Sequence, residues 1–300
     1  MDVGAGSRAV LRVERPDGID AFVALAGDFL AAREAEHGLI LGLAGNLQRG
    51  TLGLDEPPLL AVVLDQAAGD RVVAAALRTP PYNLVVSMVD DLDAIDALAE
   101  ALAGDPLPGV SAPRGVADRF AEGWTARTGQ RARLSMAERI FRLTAVREPR
   151  PASGRMRAAE RADRALLIAW IEAFTLEALN KSEDAAPGVD RWLEHRGRRL
   201  WLWEDGDVRV SLCGAGGETA HGIRIGPVYT PPEHRGHGYA SNLVARVSQL
   251  LLAEGRQFVT LFTDLANPTS NRIYQDIGYE PVADFEVIDF EVLDFIAPTG

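Results

Sequence analysis

The stretch Ile223–Asn242 reads IRIGPVYTPPEHRGHGYASN, and its pattern predicts a strand, a sharp turn and a helix in succession. The strand should end at Pro231 and Pro232, because proline has no N–H to donate to a sheet. The glycines of Arg235-Gly236-His237-Gly238 then lead into the helix. Such a turn at a helix N-terminus exposes unpaired backbone N–H groups, whose attraction for anions the helix dipole reinforces. The stretch therefore predicts a phosphate-binding site.

Two common phosphate-binding motifs do not fit these glycines. A dinucleotide fingerprint needs GxGxxG and an acidic residue about 20 positions further on. Here Ser241 takes the place of the third glycine, and Arg256 stands where the acid belongs. A P-loop needs Gly-Lys-Ser or Gly-Lys-Thr, which the sequence lacks. What remains is the pattern Arg235-x-x-Gly238-x-Ala240.

A second motif follows at Asn267–Tyr279, NPTSNRIYQDIGY, where Asn267 precedes Tyr274 by seven residues and a Gly-Tyr pair ends the run. A helix and a strand are predicted between the two motifs. In order and spacing, the two resemble the pyrophosphate loop and the next motif of the GNAT superfamily of acyl-CoA-dependent N-acyltransferases. The loop pattern of that superfamily is Gln or Arg followed by x-x-Gly-x-Gly or Ala. On these residues the C-terminal half is identified as a member of the GNAT superfamily.

Length and charge limit the remaining interpretations. A chain of 300 residues exceeds one typical domain and predicts two. The net charge of -12 argues against nucleic acid or an anionic membrane as a partner and favours cationic substrates such as amines. The single cysteine, Cys213, rules out an internal disulfide. Without a leader pattern or an apolar run of about 20 residues, we expect a cytoplasmic protein.

The middle of the chain predicts a domain boundary. Residues 148–154, EPRPASG, combine charge, proline and glycine without apolar periodicity, which is typical of a linker. We therefore expect one domain at 1–147 and a second at 155–300.

The two halves also share a short likeness. Ala74–Pro81, AAALRTPP, resembles Ile225–Pro232, IGPVYTPP, and further helices and strands follow each. This predicts a tandem repeat of one GNAT-like unit in an α+β (mixed α/β) fold, each copy a mostly antiparallel mixed sheet flanked by helices. The first copy lacks both motifs, so we expect it to be degenerate. Two unrelated α+β domains are the alternative.

The resemblance implies roles for individual residues. Tyr274 would be the general acid for the departing thiolate, or would only pack against the coenzyme. The backbone N–H of Val228 would polarise the thioester carbonyl, freed by a bulge at Gly226-Pro227. The general base is Glu177 as a guess, or a water relay. The residues implied in coenzyme binding are Val228, Tyr229, Thr230, Arg235, Gly236, His237, Gly238, Tyr239, Ala240, Ser241, Asn267, Asn271 and Tyr274. No metal is expected, because His234 and His237 lack a third ligand.

These observations predict an N-acetyltransferase that moves an acetyl group from acetyl-CoA, its co-substrate, to a primary amine of a small molecule. A catalytically silent acyl-CoA sensor is the alternative from another class, and a dinucleotide oxidoreductase comes third. The acceptor stays unidentified and a homodimer stays open.

Overall fold

The described part of the chain, residues 10–291 of a computed structural model, runs twice through the same ten elements. Each pass is a strand, two helices, three strands, a helix, a strand, a helix and a last strand. No helix within residues 10–291 is both long and apolar enough to cross a membrane. Residues 1–9 and 292–300, the outer ends of the two predicted domains, lie outside the described residues.

The first copy consists of β1 (Leu11–Glu14), α1 (Ile19–Ala31), α2 (Gly38–Gln48), β2 (Leu59–Asp65), β3 (Arg71–Arg78), β4 (Leu84–Val86), α3 (Asp93–Ala101), β5 (Gly109–Pro113), α4 (Arg114–Thr128) and β6 (Arg131–Leu143). The second consists of β7 (Arg155–Ala158), α5 (Arg164–Leu179), α6 (Ala186–Leu193), β8 (Arg198–Asp205), β9 (Val208–Gly216), β10 (Gly222–Tyr229), α7 (Tyr239–Ala253), β11 (Phe258–Asp264), α8 (Pro268–Ile277) and β12 (Glu280–Glu291). The identical order confirms the predicted α+β class and the tandem repeat.

The alignment on which the repeat was predicted is wrong by one strand. Thr79-Pro80-Pro81 follows β3, the second strand of the central trio in its copy, whereas Thr230-Pro231-Pro232 follows β10, the third. The counterpart of β10 is β4, and the counterpart of the glycine-rich loop is the segment between β4 and α3. A proline pair marks the end of a strand because it donates no ladder hydrogen bond, but it does not mark which strand ends.

By residue contacts, the first compact unit (unit 1) takes residues 10–44, 53–138 and 283–291 of the described chain. Its strands lie in the order β1-β2-β3-β4-β5-β12, antiparallel except for the parallel β4–β5 pair. Three aromatic rings stack in its core: Trp124 lies 5.9 Å from Phe120 and 5.5 Å from Phe290 of β12. The last strand of the chain thus completes the core of unit 1.

The second unit (unit 2) takes residues 45–52 and 139–282. Its strands lie in the order β6-β11-β10-β9-β8-β7, and β10 and β11 run parallel. Alternation along the strands divides the apolar side chains between two faces. On the α7 face, α7 and α8 pack against Trp201, Ile225 and Leu261 among others. On the α5 face, α5 and α6 pack against Leu200, Leu202, Leu212 and Tyr229.

The units do not follow the expected boundaries at 147 and 155. The part of β12 from Ala283 onward belongs to unit 1, where Phe285–Asp289 pair with Gly109–Pro113 of β5. Conversely, β6 from Arg139 onward belongs to unit 2 and lies beside β11. Each unit therefore contains part of the last strand of the other copy. Pairing between strands distant in sequence leaves no local pattern from which this exchange could be predicted.

The predicted linker is bonded along unit 2. The backbone N–H of Arg147 donates to the carbonyl of Ile277 (2.6 Å), and the Asn242 amide donates to the carbonyl of Arg150 (2.9 Å). The indole N–H of Trp203 donates to the carbonyl of Ser153 (2.7 Å). A proline-rich segment keeps its carbonyl acceptors although it lacks donors, so side chains from the sheet and α7 can hold it.

A buried histidine joins two elements of unit 1. His37 Nδ1 donates to the carbonyl of Leu30 (2.9 Å), and the backbone N–H of Met88 donates to His37 Nε2 (3.0 Å). Because Nε2 accepts a hydrogen bond, the ring is neutral. Burial lowers the pKa of His37 below its ordinary value.

Deleting the first copy should therefore leave an incomplete second one. We expect the fragment 155–300 to lose the strand beside β11 and to expose its unpaired edge, and β12 to lose its partner β5. Expressed alone, the fragment should aggregate or unfold without cooperativity, as measured by size-exclusion chromatography and circular dichroism against the full chain. A monodisperse fragment with a cooperative melt would contradict the strand exchange.

Unfolding of the whole chain should depend on pH through His37. The pKa of His37 is depressed in the folded state, so its contribution is fully present above about pH 6.5, the pKa of an unperturbed histidine. It is lost as the pH falls from there through the folded pKa. His37→Phe should lower the free energy of unfolding by about 1–3 kcal/mol at pH 7.5 and by less at pH 5.5. Urea titrations at both pH values, with exposed His195→Asn as the control, measure this; an equal effect at both would contradict it.

Candidate active site

The strand β10 carries one extra residue at Gly226-Pro227. Opposite β9, Ile225 pairs with Ala215 but Val228 pairs with Cys213, so three steps on β10 match two on β9. This is the predicted β-bulge. It reverses the alternation of side chains: Val228 packs on the α7 face, as Ile225 does, and Tyr229 packs on the α5 face.

Beyond the bulge, β10 leaves its other neighbour. The parallel pairing joins Gly222–Ile225 to Phe258–Leu261 and stops there, although β10 continues to Tyr229 and β11 to Asp264. The two strands therefore part at their carboxyl ends. The gap opens beside Val228, on the edge of β10 that faces away from β9.

The glycine-rich loop presents its main chain to solvent. Gly236 and Gly238 have φ angles of 83° and 79°, in the left-handed region that favours glycine. Within the described chain, the six backbone N–H groups from Gly236 to Ser241 have no protein acceptor. A Cβ built on Gly236 would meet no atom within 4 Å. The protein's own side chains thus leave these donors open at the N-terminus of α7.

Side chains of the same segment hold the loop in place. The Tyr239 hydroxyl and the Ser153 hydroxyl both donate to Asp205 Oδ2, and the hydrogen bond from Tyr239 lowers the pKa of Asp205. The ring of His237 stacks on Tyr239 at 5.4 Å. The sequence analysis did not identify Asp205, because no sequence motif marks a contact of this kind. The side chains of Tyr239 and His237 are thus engaged within the loop, and their backbone N–H groups face the open site.

Arg235 is committed to the loop and to α5. Its Nε donates to the carbonyl of Thr230 (2.9 Å), and its Nη2 lies 2.7 Å from a carboxylate oxygen of Glu177. The hydrogen bond to Glu177 raises the pKa of Arg235. Glu177, the residue guessed as general base, is therefore engaged by a guanidinium. This contact gives it a role in fixing the loop and does not favour proton abstraction.

Tyr274 lies on α8 among the apolar side chains of the α7 face, in the same cluster as Val228. Its ring meets Tyr279 edge-on at 6.0 Å. Burial raises the pKa of Tyr274 above its ordinary value. No described residue forms a hydrogen bond with its hydroxyl group, which is not sealed from solvent. The structure thus brings a protonated phenol and the bulged strand to one face.

The two asparagines of the second motif hold the start of α8. Asn267 Oδ1 accepts from the backbone N–H of Ser270 (3.0 Å) as the helix cap. The Asn271 amide donates to the carbonyls of Asp264 (2.9 Å) and Asn267 (2.7 Å). For Asn267, which the resemblance implied in coenzyme binding, this geometry favours a role at the helix start.

The remaining predicted residues lie where the strand ends. The Tyr229 ring packs on the α5 face against Trp170 at 6.2 Å. Thr230 Oγ1 lies 2.8 Å from Ser211 Oγ. Ala240 and Ser241 form the first turn of α7. Their side chains therefore serve the fold, and what faces the gap and the loop is main chain.

In the first copy, two of the corresponding N–H groups are bonded within the protein. Met88 lies three residues past the last β4–β5 pair, just as Val228 lies three residues past the last β10–β11 pair. The backbone N–H of Met88 donates to His37 Nε2. Before α3, Asp91 Oδ1 accepts from the N–H of Asp93, which is itself acidic. A carboxylate thus occupies the helix start that binds anions in other proteins.

Comparison with known proteins shows which family model and which solved structures this chain resembles. Residues 212–287 match the family model of FR47-like proteins. A Drosophila protein superposes with a TM-score of 0.66 and 14% identity, over 94% of this chain and 98% of that one. A tandem GNAT protein from the clavulanic acid biosynthesis pathway superposes with a TM-score of 0.57 and 15% identity, over 93% of this chain and 98% of that one. A GCN5-related N-acetyltransferase from Sphaerobacter thermophilus superposes with a TM-score of 0.57 and 16% identity, over 93% of this chain and 94% of that one. No curated protein of similar sequence was found.

Proposed function

The chain has the GNAT fold in two tandem copies, and on that premise we propose that its second copy is an N-acetyltransferase. It transfers an acetyl group from acetyl-CoA to a primary amine of a small molecule. The observation that carries this proposal is the row of six unpaired N–H groups from Gly236 to Ser241, beside a bulged strand that parts from its neighbour.

Coenzyme binding follows from these main-chain groups. The diphosphate of CoA would accept hydrogen bonds from the amides of Gly236 to Ser241, strengthened by the dipole of α7. The pantetheine arm would pair with the edge of β10 that β11 leaves after Ile225, as an added strand does. The thioester would then lie in the gap next to Val228.

Acetyl transfer needs one proton donor and one proton acceptor. The neutral amine attacks the thioester carbonyl, a C–N bond forms, and the backbone N–H of Val228 stabilises the oxyanion. When the C–S bond breaks, Tyr274 gives its proton to the departing thiolate. The amine loses its proton to water relayed to solvent, because Glu177 is already held by Arg235.

An acyl-CoA sensor remains the second candidate, and one observation separates it from an enzyme. A sensor needs the loop but has no use for a phenol beside the thioester. The unbonded hydroxyl of Tyr274, in the cluster that includes Val228, therefore favours transfer.

The kind of partner and the location of the protein are also part of this proposal. The net charge of -12 supports a small amine rather than nucleic acid or an anionic membrane as partner. We keep the cytoplasmic location as an inference from the sequence, and a homodimer stays open.

Replacing Tyr274 should separate chemistry from binding. We expect Tyr274→Phe to lower kcat by about 100-fold, because the thiolate loses its proton donor, and to leave the Kd for CoA unchanged. Thiol release from acetyl-CoA with an amine panel gives kcat, and calorimetry gives Kd. Tyr82→Phe, at an exposed tyrosine, is the control. Unchanged turnover in Tyr274→Phe would remove this residue as the acid, and no turnover in the wild type with any amine would favour the sensor.

One chain should bind one CoA, since acidic residues at the start of α3 repel a diphosphate in the first copy. Gly236→Asp places a carboxylate and a Cβ at a position with positive φ, so we expect CoA to bind at least about 10-fold more weakly. Gly255→Asp is a matched control, because Gly255 follows α7 at its other end, also has a positive φ and also has open space around it. Calorimetric titration measures both affinity and stoichiometry. Two CoA per chain, or equal affinity in the two variants, would contradict this site.

A further inference from the structure

Two arginines lie in one row across the α5 face of unit 2. Arg198 on β8 and Arg224 on β10 are each paired with Gly216 of β9. Residues directly paired across strands share a face, so both guanidinium groups extend on the side where Leu200 and Leu202 pack. Gly216 contributes no side chain between them.

Arg198 has no countercharge of its own. It is partly buried, its guanidinium lies 5.2 Å from the ring of Trp192, and no carboxylate pairs with it in the part of the chain that the structure describes. Burial, together with the charge of Arg224, lowers the pKa of Arg198 to about 9. The next residue, Arg199, faces the other way and pairs with Glu254 at 2.7 Å. A partly buried guanidinium that no carboxylate neutralises, such as that of Arg198, is unfavourable unless an anion joins it.

The row leads to the gap between β10 and β11. The guanidinium of Arg224 lies 5.8 Å from the ring of Phe262, which follows the last β10–β11 pair by one residue. Beside it on β10, a Cβ added to Gly226 would meet no atom within 4 Å. A cation therefore lies where the strands part, on the face opposite to Tyr274.

We propose that the acceptor is an amine that also carries a carboxylate, such as an amino acid, and that Arg198 and Arg224 bind this carboxylate. The inference rests on the proposed function and names its substrate class. A carboxylate accepts paired hydrogen bonds from guanidinium groups, and holding it on the α5 face directs the amino group into the gap. The amine then reaches the thioester from the face opposite to the proton donor.

This refines the expectation from net charge. An overall charge of -12 favours cationic ligands over the surface as a whole, but two guanidinium groups set the sign locally. The expected acceptor is therefore a zwitterion rather than a simple polyamine or monoamine.

The test compares amines that differ only in the carboxylate. L-Phenylalanine with phenethylamine, L-leucine with isoamylamine, and L-lysine with cadaverine are assayed for thiol release from acetyl-CoA in the full-length chain. We expect at least one amino acid to exceed its decarboxylated partner in kcat/KM. Arg198→Gln and Arg224→Gln should each raise KM for that amino acid by about 10- to 100-fold, with KM for acetyl-CoA unchanged. Arg199→Gln, one residue along β8 and on the other face, should change neither.

A binding measurement keeps this inference separate from the proposed function. Stabilisation of the chain by the same amino acids, measured as a shift in Tm without coenzyme, should be lost in Arg198→Gln and kept in Arg199→Gln. Absent turnover with this stabilisation intact would overturn the transferase and leave the carboxylate site standing. Decarboxylated amines that match the amino acids in kcat/KM, or an Arg198→Gln variant with unchanged KM and unchanged stabilisation, would overturn the carboxylate site.

Discussion

The extra residue of β10 at Gly226-Pro227 is the constraint around which the second copy is arranged. Before it, β10 is bonded on both edges; after it, the strand keeps β9 and leaves β11. The same bulge places Val228 on the α7 face, in the cluster that includes Tyr274, and Tyr229 on the α5 face. A main-chain edge without a sheet neighbour and a change of face thus arise from one insertion, and the loop at α7 continues directly from it.

The two copies show how the same ten elements can support or exclude chemistry. In the second copy the amides at the helix start are open; in the first, the imidazole of His37 bonds the N–H of Met88 and the carboxylate of Asp91 bonds the N–H of Asp93. Burial keeps that imidazole neutral, and acidic residues at the start of α3 repel a phosphate. These internal hydrogen bonds are consistent with a structural contribution of the first copy.

Local sequence patterns allowed a correct prediction where a single segment of the chain forms the element by itself. The strand, proline stop, glycine turn and helix from Ile223 onward could be predicted, because each depends on neighbouring residues. The alignment of the repeat failed, since the Thr-Pro-Pro at Thr79 ends β3 and the one at Thr230 ends β10. Glu177 was a guess at the general base from the resemblance, and only the fold shows that Arg235 holds its carboxylate.

By itself the sequence determined that a glycine-rich turn at a helix start follows a strand stopped by prolines and that a tyrosine lies on the helix after the next strand, because backbone chemistry and spacing depend on consecutive residues. Tertiary structure alone decided that each copy's last strand contributes to the other unit, that the loop is tied through Asp205 and Glu177, and that Arg198 and Arg224 share a row across Gly216. These features depend on strand register and on charges brought together from distant segments. Neither has a signature in any one stretch of the chain.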